Sequence, residues 1–283
     1  MVDAVIVSTA RTGIGKAYRG ALNNTEGPTM AGHVMAEAVK RAGIEPGEVE
    51  DVVMGCAMQQ GTMVMNVARK GAIRAGLPVT VAGTTIDRQC ASGLQAIAVA
   101  ARSIMLDGVE VAIGGGTESI SLVQNEHMNK FHAVDDELMA MKPDMYMSML
   151  ETAEVVAARY NISRDKQDEY SLECQRRVGA AIQGGRFNDE IVPFKTKMAV
   201  MDKDTRQVSF KDITLTKDEG PRPDTTAEGL AGIKPVFEGK TISAGNASQL
   251  SDGASASVLM SDTLAAKKGL KPLGIFRGFV AAG

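Results

Sequence analysis

The stretch Thr85-Ile-Asp-Arg-Gln-Cys-Ala-Ser-Gly-Leu-Gln-Ala-Ile97 joins a β-branched run to a helical pattern and places Cys90 where the two meet. Residues 84–88 have the β-branched composition of a short buried strand. From Ser92 onward the apolar residues recur at helical spacing, at Leu94, Ile97, Ala98, Ala101, Ile104 and Met105. A strand that passes directly into a helix is typical of α/β proteins. The stretch therefore predicts an α/β fold with a cysteine at a strand-to-helix junction.

Other parts of the chain repeat this alternation. Residues 3–8, 51–55 and 109–115 are short runs rich in Val and Ile that end in Gly or polar residues, as buried strands do. A helical pattern follows Pro28, with apolar residues at Met30, Val34, Ala38 and Ala42. The alternation predicts βαβ units on a mostly parallel sheet.

The alternation of strand and helix patterns stops at about residue 120, and we interpret residues 120–240 as an insertion over the sheet. One helix is predicted to begin near Glu151, and another at Ser163, whose hydroxyl can cap it while Asp165 lies in its first turn. Strand character returns at 254–261, and a short helix is predicted at 262–269. The last run, at 273–283, is predicted to be a strand that leaves an edge in need of a partner.

Composition excludes several classes of protein. The 283 residues are 44% hydrophobic and 23% charged, with a net charge of −3, and Lys and Arg are scattered. A nucleic-acid binder would show a basic patch, which is missing. No run approaches the length of a membrane span, and the first residues show no secretory pattern, so we expect a cytoplasmic protein.

The three cysteines must be judged one by one, since their spacing indicates neither a disulfide framework nor a zinc site. At Cys90 the free N–H groups and the dipole of a helix N-terminus favour the thiolate, so a nucleophile and a buried structural thiol are equally supported. Gly93 is expected to let the helix approach the sheet. Cys56 is expected in the core, and Cys174 receives no role.

The histidines offer no obvious base for a cysteine nucleophile. We expect His33 to lie inside a helix, and His127 and His132 to lie in the Met-rich part of the insertion, all of them satisfied or solvated. The glycine-rich stretches at 11–16 and 114–119 do not have the spacing of nucleotide-binding loops.

Five stretches occur in the order in which thiolases have them: VIVSTARTGIGKAYRG, DRQCASGLQAI, GGGTESIS, GRFNDEIVPF and ISAGNASQLSDGASA. The chain resembles a 3-ketoacyl-CoA or acetyl-CoA acyltransferase. The resemblance implies that Cys90, in a Cys-x-Ser-Gly motif, takes the acyl group from a 3-ketoacyl-CoA and passes it to CoA, or runs the reverse condensation. It implies CoA and acyl-CoA as substrates, no permanently bound cofactor and no metal.

The resemblance also implies an architecture: a five-stranded mixed sheet with flanking helices in an α/β/α arrangement, and an inserted loop domain that covers the CoA. We therefore expect a core half at 1–119 and 246–271, the loop domain at 120–245, and the start of a second half at 272–283. The family's CoA-lining residues correspond to Met149, Arg222, Ala244 and Ser248.

Two departures from the family qualify these expectations. The Asn-Glu-Ala-Phe, Gly-His-Pro and Cys-x-Gly-Gly motifs of the thiolase second half are missing, so we expect a truncated or split enzyme that needs its C-terminal half or a partner chain. A segment that is Gly-rich and carries a His in short-chain thiolases reads Met145-Tyr-Met-Ser-Met-Leu-Glu-Thr here, and its adaptable apolar surface favours longer acyl chains in fatty-acid β-oxidation.

Two other functions compete with the leading one. The first is a non-catalytic thiolase-like protein that binds acyl-CoA or lipid, which the intact motif at Cys90 disfavours and the missing second half favours. The second is a ketoacyl synthase relative, which the stretches at 185–194 and 246–256 disfavour. The resemblance further implies a homodimer or homotetramer that pairs through residues 84–89.

Overall fold

The structure is a computed structural model that describes residues 2–282. The chain forms two compact units. The first consists of the described residues of Met1–Met128, Asp189–Glu219 and Leu250–Gly283, and the second of Asn129–Asn188 and Gly220–Gln249. Each unit is therefore built from separate stretches of the sequence.

The strands of residues 2–282 all lie in the first unit. In chain order they are β1 (Ala4–Arg11), β2 (Gly15–Lys16), β3 (Asp51–Gly55), β4 (Ala82–Ile86), β5 (Val111–Glu118), β6 (Phe194–Met201), β7 (Val208–Leu215), β8 (Ser251–Ser261) and β9 (Gly274–Ile275). The main sheet has the order β4-β3-β5-β8-β1-β9, with β2 paired to β8. Its five long strands form the predicted mixed sheet, and β2 and β9 add two residues each.

The α-helices of the described residues divide between the units. Those of the first unit are α1 (Gly27–Ala42), α2 (Val67–Arg74), α3 (Ser92–Leu106), α4 (Ile120–Val123) and α9 (Asp262–Lys267). Those of the second unit are α5 (Asp136–Met141), α6 (Met149–Arg159), α7 (Arg164–Gln183) and α8 (Ala227–Ala231).

Helices cover both faces of the main sheet. Successive strand residues point to opposite faces, and the core follows this rule: Val52 and Met54 pack into one hydrophobic cluster, whereas Val53 packs into another. The first cluster also holds the buried residues of α1 and α2, and the second holds those of α3. The sheet is therefore buried between helical layers, which explains why its strands read as continuous apolar runs.

The expectation of a mostly parallel sheet holds for β1, β3, β4 and β5, which run in one direction, and fails for β8. Strands β4, β3 and β5 are parallel, but β8 lies between β5 and β1 and is antiparallel to both. A strand buried on both faces has the same apolar pattern in either direction, so the pattern could not show its orientation. The predicted final strand is also shorter than expected, because only Gly274–Ile275 pairs, at the β1 edge.

A hairpin within the predicted insertion was missed. Strands β6 and β7 pair antiparallel from Phe194 opposite Leu215 to Met201 opposite Val208. Phe194 and Leu215 are buried in the cluster that holds α1, and residues 189–219 belong to the first unit. Alternation of charged and apolar residues in FKTKMAVM was the available signal.

The second unit confirms both predicted helix starts. Helix α6 begins at Met149 behind a capping box, in which the Ser148 hydroxyl accepts from the Glu151 N–H and the Glu151 carboxylate accepts from the Ser148 N–H. Helix α7 begins after Ser163, whose hydroxyl accepts from the Lys166 N–H. None of the helices within residues 2–282 combines the length and apolarity needed to cross a membrane.

Candidate functional site

Three neighbouring parallel strands bring the candidate nucleophile and several ionisable groups to one edge of the sheet. Gly55, the last residue of β3, pairs with Ile86 of β4 on one side and Gly116 of β5 on the other. The next residues along these strands lead to Cys56, to the turn that carries Cys90, and to Glu118. Ligands of open α/β sheets bind at the carboxyl ends of the strands, so this edge is the candidate active site.

A tight hydrogen-bonded turn holds Cys90 between β4 and α3. The Asp87 carboxylate accepts from the Gln89 N–H at 2.6 Å. The Ser92 hydroxyl accepts from the Arg88 N–H at 2.8 Å and donates to the Gln89 carbonyl at 2.5 Å. Gln89 has φ 47°, a left-handed conformation that costs a non-glycine residue energy. A strained and well-bonded turn of this kind is a feature of functional sites, where the surrounding structure holds it in place.

A close approach of two backbones fixes the start of α3. A Cβ atom on Gly55 would lie 2.2 Å from the Ser92 carbonyl carbon and 2.4 Å from the Gly93 nitrogen, so only glycine fits at the end of β3. The expectation that Gly93 provides this close approach is wrong, because a Cβ there would be 3.8 Å from its nearest neighbour. The turn that carries Cys90 is thus placed by Gly55.

Cys90 itself is exposed, in contrast to the buried thiol that was the alternative. It lies two residues before the first residue of α3, and Ala91 at the N-cap offers no side-chain acceptor to the free N–H groups. The accessible sulfur therefore lies beside a helix N-terminus, whose partial positive charge favours the binding of an anionic group there.

Buried Cys56 and half-buried Glu118 form a pair at the same edge. Cys56 is 1% exposed, and its thiol donates to the Glu118 carboxylate at 3.7 Å. Burial, followed by the charge of Glu118, raises the pKa of Cys56 to about 12. Burial also raises the pKa of Glu118, although the Ala57 and Met58 N–H groups oppose that change. Cys56 is therefore an inert thiol, as expected, whereas Glu118 was not anticipated.

The remaining cysteine and the histidines lie elsewhere in the fold. Cys174 is exposed on α7 of the second unit. His33 lies in α1, as predicted. Its ring packs edge-on against Phe194, with 4.7 Å between the ring centroids, and burial lowers its pKa. The ring hydrogen-bonds the Pro193 backbone, but its Nε2 atom is buried without a hydrogen-bond partner, so the expectation of a satisfied ring is met at one nitrogen only. His127 and His132 are exposed in loops.

The four residues predicted to line the CoA site all belong to the second unit and are all exposed. Met149 is the first residue of α6, and 75% of it is accessible. The Arg222 N–H donates to the Gln175 side chain at 2.8 Å, while its guanidinium is on the surface. Ala244 and Ser248 lie in the segment after α8. Their role toward CoA stays a prediction.

The fold and this site define a class: an α/β protein with an exposed cysteine on a strained turn between the carboxyl end of a parallel strand and the N-terminus of a helix. The chain belongs to the thiolase family, because the family model for the thiolase N-terminal domain matches residues 4–263.

Curated relatives support this assignment. The 3-ketoacyl-CoA thiolase of Bacillus subtilis is 40% identical over 284 residues, covering 100% of this chain and 72% of that protein. The peroxisomal 3-ketoacyl-CoA thiolase 1 of Arabidopsis thaliana is 39% identical over 99% of this chain, which spans 62% of the plant protein. The acetyl-CoA acetyltransferase of Cupriavidus necator is 37% identical, with 100% of this chain and 72% of that protein covered.

A solved structure supports the fold. The crystal structure of the Bacillus anthracis acetyl-CoA acetyltransferase matches with a TM-score of 0.80 and 40% sequence identity, over 96% of this chain and 69% of that one. The predicted thiolase fold, with its mixed sheet and flanking helices, is confirmed. The sequence did not predict the groups that place the nucleophile, which are Gly55, Asp87 and Ser92, nor Glu118 beside Cys56. Glycines and polar residues at the ends of three predicted strands were the signal that could have found them.

Proposed function

We propose that this protein is an acyltransferase that cleaves 3-ketoacyl-CoA with CoA through an acyl-cysteine intermediate on Cys90. The observation that carries the proposal is the position of Cys90, exposed on a strained turn beside a helix N-terminus in a chain of the thiolase family. The names of the Bacillus subtilis and Cupriavidus necator relatives support the same activity.

The proposed reaction has two halves. The Cys90 thiolate attacks the 3-keto carbon, the C2–C3 bond breaks, and its electron pair remains on C2, which takes up a proton to give acetyl-CoA. The acyl group is left on Cys90 as a thioester. The thiolate of a second CoA then attacks this thioester, and Cys90 leaves as a thiolate. By resemblance to the family, a histidine and a second cysteine in motifs beyond the matched domain would handle the protons.

The residues around Cys90 have a positioning role in this scheme. Asp87, Ser92 and Gly55 fix the turn, so that the backbone that carries the sulfur is held in one conformation when the keto carbon arrives. Cys56 cannot compete as a nucleophile, because its raised pKa keeps it a thiol at neutral pH.

Intact-mass measurement with peptide mapping tests the proposal. After brief exposure to 3-ketoacyl-CoA we expect an acyl adduct on the peptide that contains Cys90, and its loss on addition of CoA. Cys90→Ala should abolish the adduct, while Cys174→Ala, a change at the other exposed cysteine, should leave it unchanged. A stable fold with no adduct on Cys90 would point instead to a binding protein.

We further propose a preference for longer 3-ketoacyl chains, as in fatty-acid β-oxidation. The support is the exposed Met-rich segment of the second unit, in which Met141, Met145 and Met149 all present their flexible thioethers to solvent. Comparison of kcat/KM for acetoacetyl-CoA with that for 3-ketoacyl-CoAs of increasing length tests this. A strict preference for acetoacetyl-CoA would contradict it.

We also propose a homo-oligomer built on a homodimer, with the cytoplasm as its location. Strand β4 is at the edge of the main sheet and largely exposed, and an unpaired edge strand can be covered by a second copy. Sedimentation should give a dimer or a dimer of dimers. Thr84→Arg on this edge should reduce the mass to that of a monomer, whereas Val280→Arg, at another exposed position, should not. Bacterial relatives support the location, although the Arabidopsis relative is named peroxisomal.

A further inference from the structure

The segment 241–248 of the second unit combines a buried anchor with an exposed rim. Ile242 is 8% exposed and Ser243 is fully buried, whereas Ala244 and Ser248 face solvent. The segment has no helix or strand of its own, so regular structure does not explain its order. Its backbone groups must be held by other parts of the unit.

Glu154 of α6 provides the first anchor. Its carboxylate accepts three hydrogen bonds from the beginning of the segment: from the Ile242 N–H at 2.6 Å, from the Thr241 N–H at 2.9 Å and from the Thr241 hydroxyl at 3.0 Å. Glu154 is 8% exposed. Burial alone would raise its pKa, yet the donors from Ile242 and Thr241 lower it, so the buried carboxylate is ionised and bonded to the segment.

Asn246 provides the second anchor, from within the segment. Its amide nitrogen donates to the Thr241 carbonyl at 3.2 Å and to the Asp168 carboxylate at 3.1 Å. Its amide oxygen accepts from the Ser243 N–H at 2.8 Å. One side chain thus closes the loop on itself and ties it to α7, which no hydrophobic residue could do.

The rest of the unit supports this arrangement. The Arg164 guanidinium bonds Asp168 at 2.7 Å and the Leu230 carbonyl at 2.7 Å, so the acceptor of Asn246 is itself held in place. A Cβ on Gly245 would lie 2.8 Å from the Leu230 side chain, which shows how tightly the segment packs. Glu154 and Asn246 therefore hold the backbone on both sides of Ala244.

We infer that Glu154 and Asn246 are positioning residues for CoA binding, which set the conformation of the 241–248 segment so that Ala244 and Ser248 can meet the ligand. This inference rests on the proposed function and on the prediction, made from the family resemblance, that Ala244 and Ser248 line the CoA site. Neither residue touches the reacting atoms, and both act through the segment that they fix.

Isosteric and truncating variants test the inference with CoA as the probe. In the purified protein, Glu154→Gln and Asn246→Ala should raise the Kd and KM for CoA about tenfold, a change that matches the loss of one charge-assisted hydrogen bond. The kcat at saturating CoA should stay within about twofold of wild type, since no group at Cys90 changes. Hydrogen exchange of peptides that cover residues 241–248 should become faster in both variants.

Controls separate positioning from general stability. Glu173→Gln removes a carboxylate that pairs with Arg176 and Arg177 on the surface of α7, and it should leave the Kd, the KM and the exchange of the segment unchanged. Asn246→Gln retains the amide, and it should recover part of the CoA affinity that Asn246→Ala loses.

Each outcome has a distinct meaning. Faster exchange in the segment with an unchanged Kd for CoA would overturn the inference while leaving the proposed function intact. Unchanged exchange would also overturn it, because the two side chains would not be ordering the segment. If the wild-type protein itself bound no CoA, the proposed function would fail, and the inference would fall with it.

Discussion

A methyl group added at the end of β3 should disturb the nucleophile more than it disturbs the fold. In Gly55→Ala the new Cβ would start 2.2 Å from the Ser92 carbonyl carbon and 2.4 Å from the Ser92 oxygen and the Gly93 nitrogen, all of them backbone atoms. Real Cβ atoms essentially never come closer than 3.0 Å to a neighbour, so the start of α3 must retreat by about 0.8 Å or more. Rotamer changes cannot relieve the contact.

The magnitudes follow from where this displacement falls. Overpacking of this kind costs about 1–3 kcal/mol of unfolding free energy. The turn that carries Cys90 is bonded to Ser92, so it must move with the helix, and a misplacement of about 1 Å at a reacting group costs roughly a hundredfold in rate. We therefore expect Gly55→Ala to lower the rate of acyl-Cys90 formation about a hundredfold while the protein remains folded.

Two assays and one matched control check this expectation. Urea unfolding measures the free-energy change, and the rate of Cys90 acylation by 3-ketoacyl-CoA, followed by mass, measures the effect on the site. Gly47→Ala is the control, since a Cβ there meets nothing within 4 Å and the residue precedes the start of β3, whereas the site lies at the end of that strand. Wild-type stability together with a wild-type acylation rate in Gly55→Ala would refute the claim that this close approach places the nucleophile.

Two further predictions concern the cysteines and one ion pair. Iodoacetamide at about pH 8 should modify the exposed Cys90 and Cys174 in the folded protein. It should not modify Cys56, which is buried and has its pKa raised to about 12. Rapid labelling of Cys56, found by peptide mapping, would contradict this prediction. Asp218→Asn should lower the unfolding free energy at pH 7 by about 1.5–3 kcal/mol, because Asp218 and Arg11 bond through both carboxylate oxygens, at 2.7 and 3.0 Å. Burial would raise the pKa of Asp218, but the bonds to Arg11 lower it overall. The difference in unfolding free energy between wild type and variant should therefore be full above about pH 4 and should shrink as acid protonates the carboxylate. Urea titrations across that pH range measure it.

Much of the fold could be predicted because its elements are specified locally. The helical spacing of Met30, Val34 and Ala38 predicted α1, and the capping residue Ser163 predicted the start of α7. The direction of β8 could not be predicted in the same way, because it depends on pairing with β1 and β5, which are far away in the chain. A local pattern of burial carries no information about strand direction. The hairpin of β6 and β7 is local, and its sequence pattern was overlooked.

The candidate site also has features that the local sequence decides and features that it does not. The sequence by itself determined that Cys90 follows a strand and precedes a helix, because both elements and the motif lie within a few residues of one another. Only the tertiary structure decided what surrounds that cysteine. Gly55 and Glu118 are far from it along the chain and come to the same edge through the pairing of β3, β4 and β5. The same holds for Glu154, which lies 87 residues before the Thr241 that it anchors.

The physical reason is the range of the interactions involved. Helix caps and apolar periodicity depend on residues within one or two helical turns of each other, so they can be identified from the sequence directly. Close backbone approach, and the raised pKa of buried Cys56 beside Glu118, arise from atoms that meet only after the sheet has formed and excluded water.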